Sequence, residues 1–350
     1  MASIYQDLRE RLSAGNPVVL VSQLARQWRA IFPPLVPTVL DSALEALARQ
    51  ALSTRCLQYV PAEQGGPLLL EPFFPSSRLV VLGGGHVALP LVAGAARLGW
   101  SVTVIDDRPQ FANQTRFSTA QQIICAEFGQ AIRQLEFTPN TYVVIATRGH
   151  QHDLTCLRGL YGQAPQAAYF GLLTSRRRLA GVKEQLLAEG IAAEWLEGLS
   201  APVGLAIGAV TPEEIAISIL AEMIALKRLG TTDRCDWAKQ QKQLWPEFDT
   251  SLLQELAHPQ QDALALVTII AAKGSVPCRA GTKMLVWPDG RTLGSIGGGC
   301  SEAAAITAAR DVLCSGGYLV QHLDMTGPVT DSDGMVCGGS LDVLIERIER

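Results

Sequence analysis

Residues 78–108, RLVVLGGGHVALPLVAGAARLGWSVTVIDDR, constrain the fold more than any other stretch. An apolar run, Leu79 to Leu82, ends in Gly83-Gly84-Gly85. A helix-patterned stretch from Val87 to Leu98 follows, and Gly99 stops it. Ser101 to Ile105 reads as a second strand that delivers Asp106, Asp107 and Arg108. Strand, glycine turn, helix, and a strand ending in an acid about twenty residues on are the parts that hold a dinucleotide. Gly83 is expected to permit the tight turn and Gly85 to let a phosphate approach the backbone. Ala88 stands where a third glycine usually packs helix on strand. Free N–H groups and the helix dipole make such a corner an anion site. Asp106 is the expected acceptor for ribose hydroxyls. His86 either caps the sheet edge or donates to a ligand phosphate.

The same alternation continues. A third strand is expected at Ile123–Cys125, a helix near Gln130–Leu135 and a fourth strand at Tyr142–Thr147. That strand delivers Arg148-Gly149-His150-Gln151-His152-Asp153 at its carboxyl end, where open α/β sheets bind ligands. His150, His152 and Asp153 suit ligand contacts better than a closed metal site, which needs ligands from another segment. A strand at Ala168–Leu172 and a basic helix from Ser175 follow, with Arg176, Arg177 and Arg178 as a solvated face or, in the minority reading, with one of them facing an anionic ligand. Thr211-Pro212-Glu213-Glu214 has the form of a capping box and opens a helix to Leu229. The pattern predicts a parallel sheet with helices on both faces.

On either side of this unit the chain repeats itself. Residues 4–13 form an amphipathic helix pattern, Pro17–Leu20 a short strand, 39–52 a helix, and Leu57–Val60 and Leu68–Glu71 two strands. Three prolines argue against regular structure over 31–37. After a polar connector come a strand (Ala263–Ala271), a hairpin (Lys283–Trp287 with Arg291–Ser295), Gly297-Gly298-Gly299-Cys300, a helix (301–313) and strands at Tyr318–Leu323 and Leu341–Ile348. Gly334-Met335-Val336-Cys337-Gly338-Gly339 precedes the last strand. With helix 39–52 set on helix 300–313, Ala43, Ala48, Arg49 and Leu52 fall on Ala304, Ala309, Arg310 and Leu313. The first copy lacks the hairpin and the triple glycine, with Val39, Asp41 and Gln64 in the places of Cys300, Glu302 and Cys337. Its expected fold matches that of the C-terminal domain, and the two are expected to pair about a pseudo-twofold axis, within one chain or between two. The domains expected are 1–72, 76–230, a connector at 231–251, and 252–350.

The formal net charge of −4, without a basic block, argues against nucleic acid and anionic membranes as partners. The opening MASIYQDLRE lacks an apolar signal core, and eight cysteines without a C-x-x-C pair suit free thiols in the cytosol. Cys300, at a helix start after flexible glycines, and Cys337, flanked by glycines, are the reactive candidates, with Glu302 beside the first. Cys56, Cys125, Cys156, Cys235 and Cys314 are read as buried small hydrophobes, and Cys278 as ambiguous.

These motifs together resemble the XdhC/CoxI family, the accessory factors of xanthine dehydrogenase and related molybdenum hydroxylases. The resemblance rests on GGGHVA (83–88), VIDDRPQFAN (104–113), ATRGHQHD (146–153), GLLTSRRR (171–178) and PVGLAIGAVTPEEIAISILAEMIA (202–225). It rests also on VTIIAAKGSVPCRAGTKMLV (267–286), GSIGGGCSE (294–302) and GMVCGG (334–339). The family usually places the GGGC/CGG domain before the nucleotide-type domain, whereas here the intact copy follows it. Cys278 stands where the family tends to show arginine. The resemblance implies an α/β chain: a Rossmann-like parallel-sheet domain, a smaller α+β XdhC/CoxI domain at the C-terminus and a degenerate copy of it at the N-terminus. It implies a chaperone-like factor that binds molybdenum cofactor (molybdopterin), assists its sulfuration and delivers it to the apo-hydroxylase. The implied partners are that hydroxylase, a cysteine desulfurase and a second copy of the chain in a homodimer. Cys300 and Cys337 would contact molybdenum or sulfur, with Glu302 in the catalytic set. Gly83, Gly84, Gly85, His86, Asp106, Asp107, Arg108, Arg148, His150 and Asp153 would hold the ligand. The alternative is an NAD(P)-dependent oxidoreductase built on the same glycine turn, though no separate acid/base pair marks a hydride-transfer site. A scaffold with a vestigial nucleotide site is the remaining reading.

Overall fold

The computed structural model describes residues 2–34, 41–61, 66–164, 167–229, 249–259, 263–325 and 338–349. Most of the expected connector, 231–248, lies outside them. The chain divides into two compact units, one made of residues 1–75 with 243–350 and the other of residues 76–242.

The first segment holds α1 (Ala2–Ser13), β1 (Val18–Gln23), a 3-10 turn, β2 (Trp28–Phe32), α2 (Ser42–Thr54), β3 (Gln58–Val60) and β4 (Leu68–Phe73). Its antiparallel sheet has the order β2-β1-β4-β3. β2 corrects the expectation of irregular chain over 31–37, since Ile31 and Phe32 end this strand. Pro33 follows the last residue of an edge strand, where no ladder donor is required. Asp41 starts α2 by accepting the Leu44 N–H at 2.8 Å.

The second unit is the parallel sheet. It runs β5 (Arg78–Leu82), α3 (Ala88–Arg97), β6 (Ser101–Asp106), β7 (Gln122–Cys125), α4 (Phe128–Ile132), β8 (Thr141–Ile145), α5 (His150–Gln163), β9 (Tyr169–Leu172), α6 (Arg176–Ala188), α7 (Ala193–Glu197) and α8 (Pro212–Leu229). The strand order is β7-β6-β5-β8-β9, all parallel. Alternate residues of β5 enter two cores. Leu79 and Val81 pack with α3 and α8, while Val80 and Leu82 pack with α4, α5 and α6. Burial on both faces is why the strand is a continuous apolar run. The capping box of α8 forms as expected: Glu214 N–H donates to Thr211 Oγ1 at 3.2 Å, and Thr211 N–H donates to Glu214 Oε2 at 3.0 Å. Glu222 on the same helix is buried, accepting from Tyr169 Oη, Ser200 Oγ and Gly204 N, and so ties β9 and the 200–204 loop to α8.

The last segment returns to the first unit with α9 (Thr250–Ala257), β10 (Ala263–Gly274), β11 (Lys283–Val286), β12 (Thr292–Gly294), α10 (Gly299–Ser315), β13 (Tyr318–Asp324) and β14 (Gly339–Glu349). Its sheet order is β12-β11-β10-β14-β13. Apart from β12, this is the topology of the first segment, element for element. The duplication therefore stands, with two amendments. The first copy keeps the β1–β2 hairpin, and among the described residues it shows no strand equivalent to β12. Helices α2 and α10 differ in length, 13 against 17 residues.

The two copies form one body. α1 packs on α9, and the apolar faces of both sheets share a core with Val18, Leu20, Ile31 and Phe73 on one side and Leu264, Leu266, Leu285 and Ile348 on the other. Strand register makes these four pairs equivalent. The same register equates Ser22 with Thr268, Arg29 with Lys283, and Glu71 with Glu346. The charged residues cross over between copies. Arg29 donates to Glu346 at 2.6 Å, and Lys283 pairs with Glu71 and donates to Thr268 Oγ1 at 2.9 Å. Two buried ion pairs related by a pseudo-twofold axis thus join the sheets, as the expected intrachain pairing requires. The outer faces carry α2 over Val19, Val21 and Leu70 and α10 over Ala265, Val267 and Ile345, equivalent positions again. The ladders set Leu68 against Val343, so Gly66 falls on Leu341, two residues from Gly339.

Candidate functional site

In the parallel-sheet unit, Gly83 takes φ +113°, the left-handed region that favours glycine. A Cβ at Gly83 would lie 2.3 Å from the Ala146 carbonyl oxygen, and one at Gly84 would lie 2.2 Å from that of Phe111. At Gly85 the nearest atom would be 3.9 Å away. The first two glycines therefore admit neighbouring loops, and the third leaves room that the protein does not fill. Asp106 is buried with its carboxylate spent on the turn. Oδ2 accepts from Gly84 N at 2.8 Å and from Arg108 at 2.9 Å, and Oδ1 accepts the Arg108 backbone and Nε hydrogens at 3.1 and 2.8 Å. A carboxylate has about four acceptor sites, so none remains for a ribose hydroxyl. Burial works against its charge, but these hydrogen bonds prevail and its pKa lies below the ordinary value.

Two further arginines surround the turn. Arg148 clamps Asp107 through two hydrogen bonds, 2.5 and 2.8 Å, and mainly for that reason the Asp107 pKa falls to about 2. Arg116, which sequence reasoning passed over, donates to the carbonyl oxygens of Gly84 and Gly85 at 3.0 and 3.4 Å. Phe111 underlies it, with the Arg108 guanidinium 3.7 Å and that of Arg116 5.1 Å from the ring centroid. A basic residue in the loop after an Asp-Asp-Arg strand end was the available signal. No side chain caps the start of α3, and His86 is exposed beside it. The corner thus offers helix amides and a guanidinium to an anion.

On the neighbouring strand ends the expected residues also meet. Thr147 Oγ1 donates to Asp153 Oδ1 at 2.5 Å, and Arg178 approaches Asp153 Oδ2 at 3.9 Å. Arg178 therefore faces a carboxylate, which the reading of 176–178 as a solvated face did not anticipate. Asp153 is 1% exposed, and burial raises its pKa. His152 packs edge-on against Phe128 at 5.6 Å. Among the described residues no three His, Cys, Asp or Glu side chains come together as a metal site.

In the other unit, Gly297, Gly298 and Gly299 all have positive φ, +123°, +76° and +68°, a run that requires glycine. Glu302 gathers the turn: its Oε2 accepts from Ser295 Oγ at 2.6 Å, Ile296 N at 3.1 Å and Gly298 N at 3.0 Å. Its carboxylate anchors the turn in this geometry. Cys300 is the second residue of α10, and its side chain is outside the described residues, as is the whole of Cys337. Because each ends a glycine-rich turn, the sequence predicts that these two thiols approach each other, and that approach also lies outside the described residues. The flanking glycines are described, and they meet one segment. A Cβ at Gly297 would lie 2.3 Å from Pro277 Cγ, and one at Gly339 would lie 2.6 Å from Val276 Cγ1 and 2.8 Å from the Ser275 oxygen. Both glycine motifs therefore close onto residues 275–277. Cys278, next in sequence, is half-buried, and burial followed by the Glu302 charge pushes its thiol pKa up.

The cysteines read as buried divide. Cys156 is buried and its thiol pKa is raised well above normal by desolvation. Cys56, Cys125 and Cys314 are exposed, which corrects the expectation. Cys56 follows the left-handed end of α2, Cys125 ends an edge strand, and Cys314 lies on the solvent face of α10. Cys235 is outside the described residues.

A fall in pH should loosen the GGGC turn. The hydrogen bonds to Glu302 outweigh its burial and hold its pKa below the ordinary 4.5. The stabilisation is therefore present above pH 4.5 and is lost as pH falls through the lower folded value. Glu302→Gln should lower the melting temperature at pH 7 by a few degrees, on the order of 1–2 kcal/mol. The difference from the parent should shrink below pH 4, and a difference constant with pH would contradict this role.

No helix among the described residues is long and apolar enough to cross a membrane. The model of the XdhC Rossmann domain matches residues 79–223, and that of the XdhC and CoxI family matches residues 257–324. The "Uncharacterized protein YqeB" of Escherichia coli (strain K12) is 40% identical over 151 residues, 43% of this chain and 27% of that protein. A Bacillus subtilis (strain 168) protein, named as a probable subunit of xanthine dehydrogenase, is 35% identical over 188 residues, 54% of this chain and 53% of that protein. The chain thus spans about half or less of the length of these relatives. A crystal structure described as a xanthine dehydrogenase from Bacillus halodurans is 27% identical, with a TM-score of 0.48 over 62% of each chain.

Proposed function

The chain belongs to the XdhC/CoxI family, and from that premise we propose that it is an accessory factor for a xanthine dehydrogenase-type molybdenum hydroxylase. It would bind molybdenum cofactor, assist its sulfuration and pass it to the apo-enzyme, with a cysteine desulfurase as sulfur donor. The observation that carries this reading is the closure of Gly297 in the GGGC turn and of Gly339, just after the second cysteine motif's Cys337-Gly338, onto residues 275–277. Cys300 is the second residue of a 17-residue helix, and a helix start favours a thiolate, which supports this role. A soft thiolate suits molybdenum or sulfane sulfur. Cys278, with its raised pKa, stays protonated near neutrality and serves the loop's packing.

The glycine corner of the parallel sheet would take the phosphate of the cofactor, between the start of α3 and Arg116. The NAD(P) reading is weaker because Asp106 has no acceptor left for a ribose.

The chain expressed in cells that make the cofactor should co-purify with molybdopterin. Cys300→Ser should reduce the bound pterin at least about tenfold, a loss of about 1.4 kcal/mol or more, with an unchanged melting temperature. Equal loading of parent and Cys300→Ser would sink the thiol assignment, and bound nicotinamide in place of pterin would favour the oxidoreductase.

A further inference from the structure

The carboxyl ends of β8 and β9 hold polar atoms that the fold itself does not use. Asp153 Oδ2, His150 Nδ1 and Thr174 Oγ1 are buried and have no hydrogen-bond partner among the described residues. Buried polar atoms are paired in the great majority of structures, so an unpaired group of them marks a place for something else. They lie together by topology. β8 and β9 are parallel neighbours with Ile145 beside Leu172, and Leu173 N–H donates to Ile145 O at 2.8 Å. Thr147, His150 and Asp153 leave the end of one strand, and Thr174 and Arg178 leave the end of the next. Arg178 closes the group from the second side, 3.9 Å from Asp153 Oδ2. Its guanidinium is half-exposed, so the buried atoms lie behind a side chain that reaches solvent.

The chemistry of this group is specific. A phosphate or carboxylate would meet the Asp153 charge and be repelled. A metal would need three ligating side chains, which the described residues do not assemble. The carboxylate instead calls for N–H donors, and Arg178, alongside, calls for a carbonyl oxygen. Two adjacent N–H groups next to a C=O form the edge of a 2-amino-4-oxopyrimidine, the ring shared by pterins and guanine.

We propose that Asp153, Thr174, His150 and Arg178 form a subsite for a 2-amino-4-oxopyrimidine edge. Asp153 Oδ2, with the remaining acceptor site of Oδ1, takes the ring N–H and the amino group. Arg178 donates to the ring carbonyl. Thr174 and His150 satisfy the outer hydrogen of the amino group and the ring nitrogen. Thr147 holds the carboxylate from behind. Burial raises the Asp153 pKa, and bound N–H donors would favour the charged form. This inference rests on the pterin reading above and gives that ligand a recognition site apart from the cysteines.

The test uses the full chain and four probes: 6-hydroxymethylpterin, 6-hydroxymethyllumazine, GMP and XMP. Lumazine and XMP carry an oxygen in place of the amino group. By calorimetry the parent should bind at least one amino probe about tenfold or more tighter than its oxo partner. Asp153→Asn, nearly isosteric, and Thr174→Val should each narrow that ratio toward one. Discrimination confined to the pterin pair identifies a pterin site. Discrimination by the GMP pair with the tighter binding identifies a guanine nucleotide as the source. Equal binding of amino and oxo probes by the parent, or binding of none, overturns the proposal and assigns the three atoms to ordered water. Cofactor loading through Cys300 is read separately, so loading without edge discrimination removes this subsite alone. Edge discrimination without loading removes the cysteine assignment alone.

Discussion

Glu71→Leu is expected to destabilise the unit formed by residues 1–75 and 243–350 by about 3–5 kcal/mol, the usual result of leaving a buried charge without its partner. Lys283 would lose its hydrogen-bonded carboxylate and keep the Thr268 hydroxyl, at 2.9 Å, and the more distant charge of Glu346, inside a core where its side chain is 3% exposed. The effect is not local, because the ion pair joins the two copies. For a unit of this size the melting temperature should fall by roughly 6–20 °C. The double change Glu71→Leu with Lys283→Met removes both charges and should recover most of the loss, since apolar replacements of a buried pair are often neutral. Arg29→Met should behave as Glu71→Leu does, by the pseudo-twofold relation, and strand a Glu346 whose pKa burial already raises. Hydrogen exchange of β1 and β10 peptides, with calorimetry of the whole chain, would follow this unit apart from the other. A loss below about 1 kcal/mol in the single variant would mean that the crossed pairs do not hold the copies together.

Gly84→Ala should be nearly as damaging, and Gly85→Ala almost silent, although the two residues are neighbours. A methyl at Gly84 would press on the Phe111 carbonyl at 2.2 Å, a backbone contact that must move. A forced shift of that kind costs about 1–3 kcal/mol and sometimes more, and here it would also strain the Gly84–Asp106 hydrogen bond at 2.8 Å. Gly85 has 3.9 Å of clearance, so alanine there should change stability by less than about 0.5 kcal/mol. Gly85→Val should keep the melting temperature and lose phosphate-bearing ligands, because its bulk enters the space a phosphate needs. Thermal unfolding paired with ligand titration separates the cases. If Gly85→Val destabilises the fold as Gly84→Ala does, that space is structural. If it binds every pterin and dinucleotide tested as the parent does, the turn is not a binding corner.

Much of this was legible in the sequence because the signals are local. The apolar run Leu79–Leu82, the glycine turn and the alternation to Leu172 specify a parallel sheet, since its central strands are buried on both faces and each helix starts after a turn. Thr211 and Glu214 announce their helix because both partners of the capping box lie within one turn. The repeat was visible as an order of elements, which duplication preserves after the side chains have drifted. β2 was hidden because the prolines after it speak louder than five edge-strand residues.

Partner choice was a different matter. Asp106 has the position of a ribose acceptor, but only the folded loop shows Arg108 and Gly84 filling its oxygens. Arg178 belongs to a basic run, and only the neighbouring strand end gives it Asp153. Cys56, Cys125 and Cys314 have the composition of core residues, and the ends and faces on which they fall expose them. The crossed pair Arg29–Glu346 joins residues 317 positions apart. Periodicity and caps record what a residue does within a few neighbours, so the sequence determined the elements, their order and the glycine corners. Which buried charge meets which, and which polar atoms stay unpaired, was decided when two sheets packed face to face and two parallel strands ended side by side, because desolvation acts only on groups that the tertiary fold has brought together.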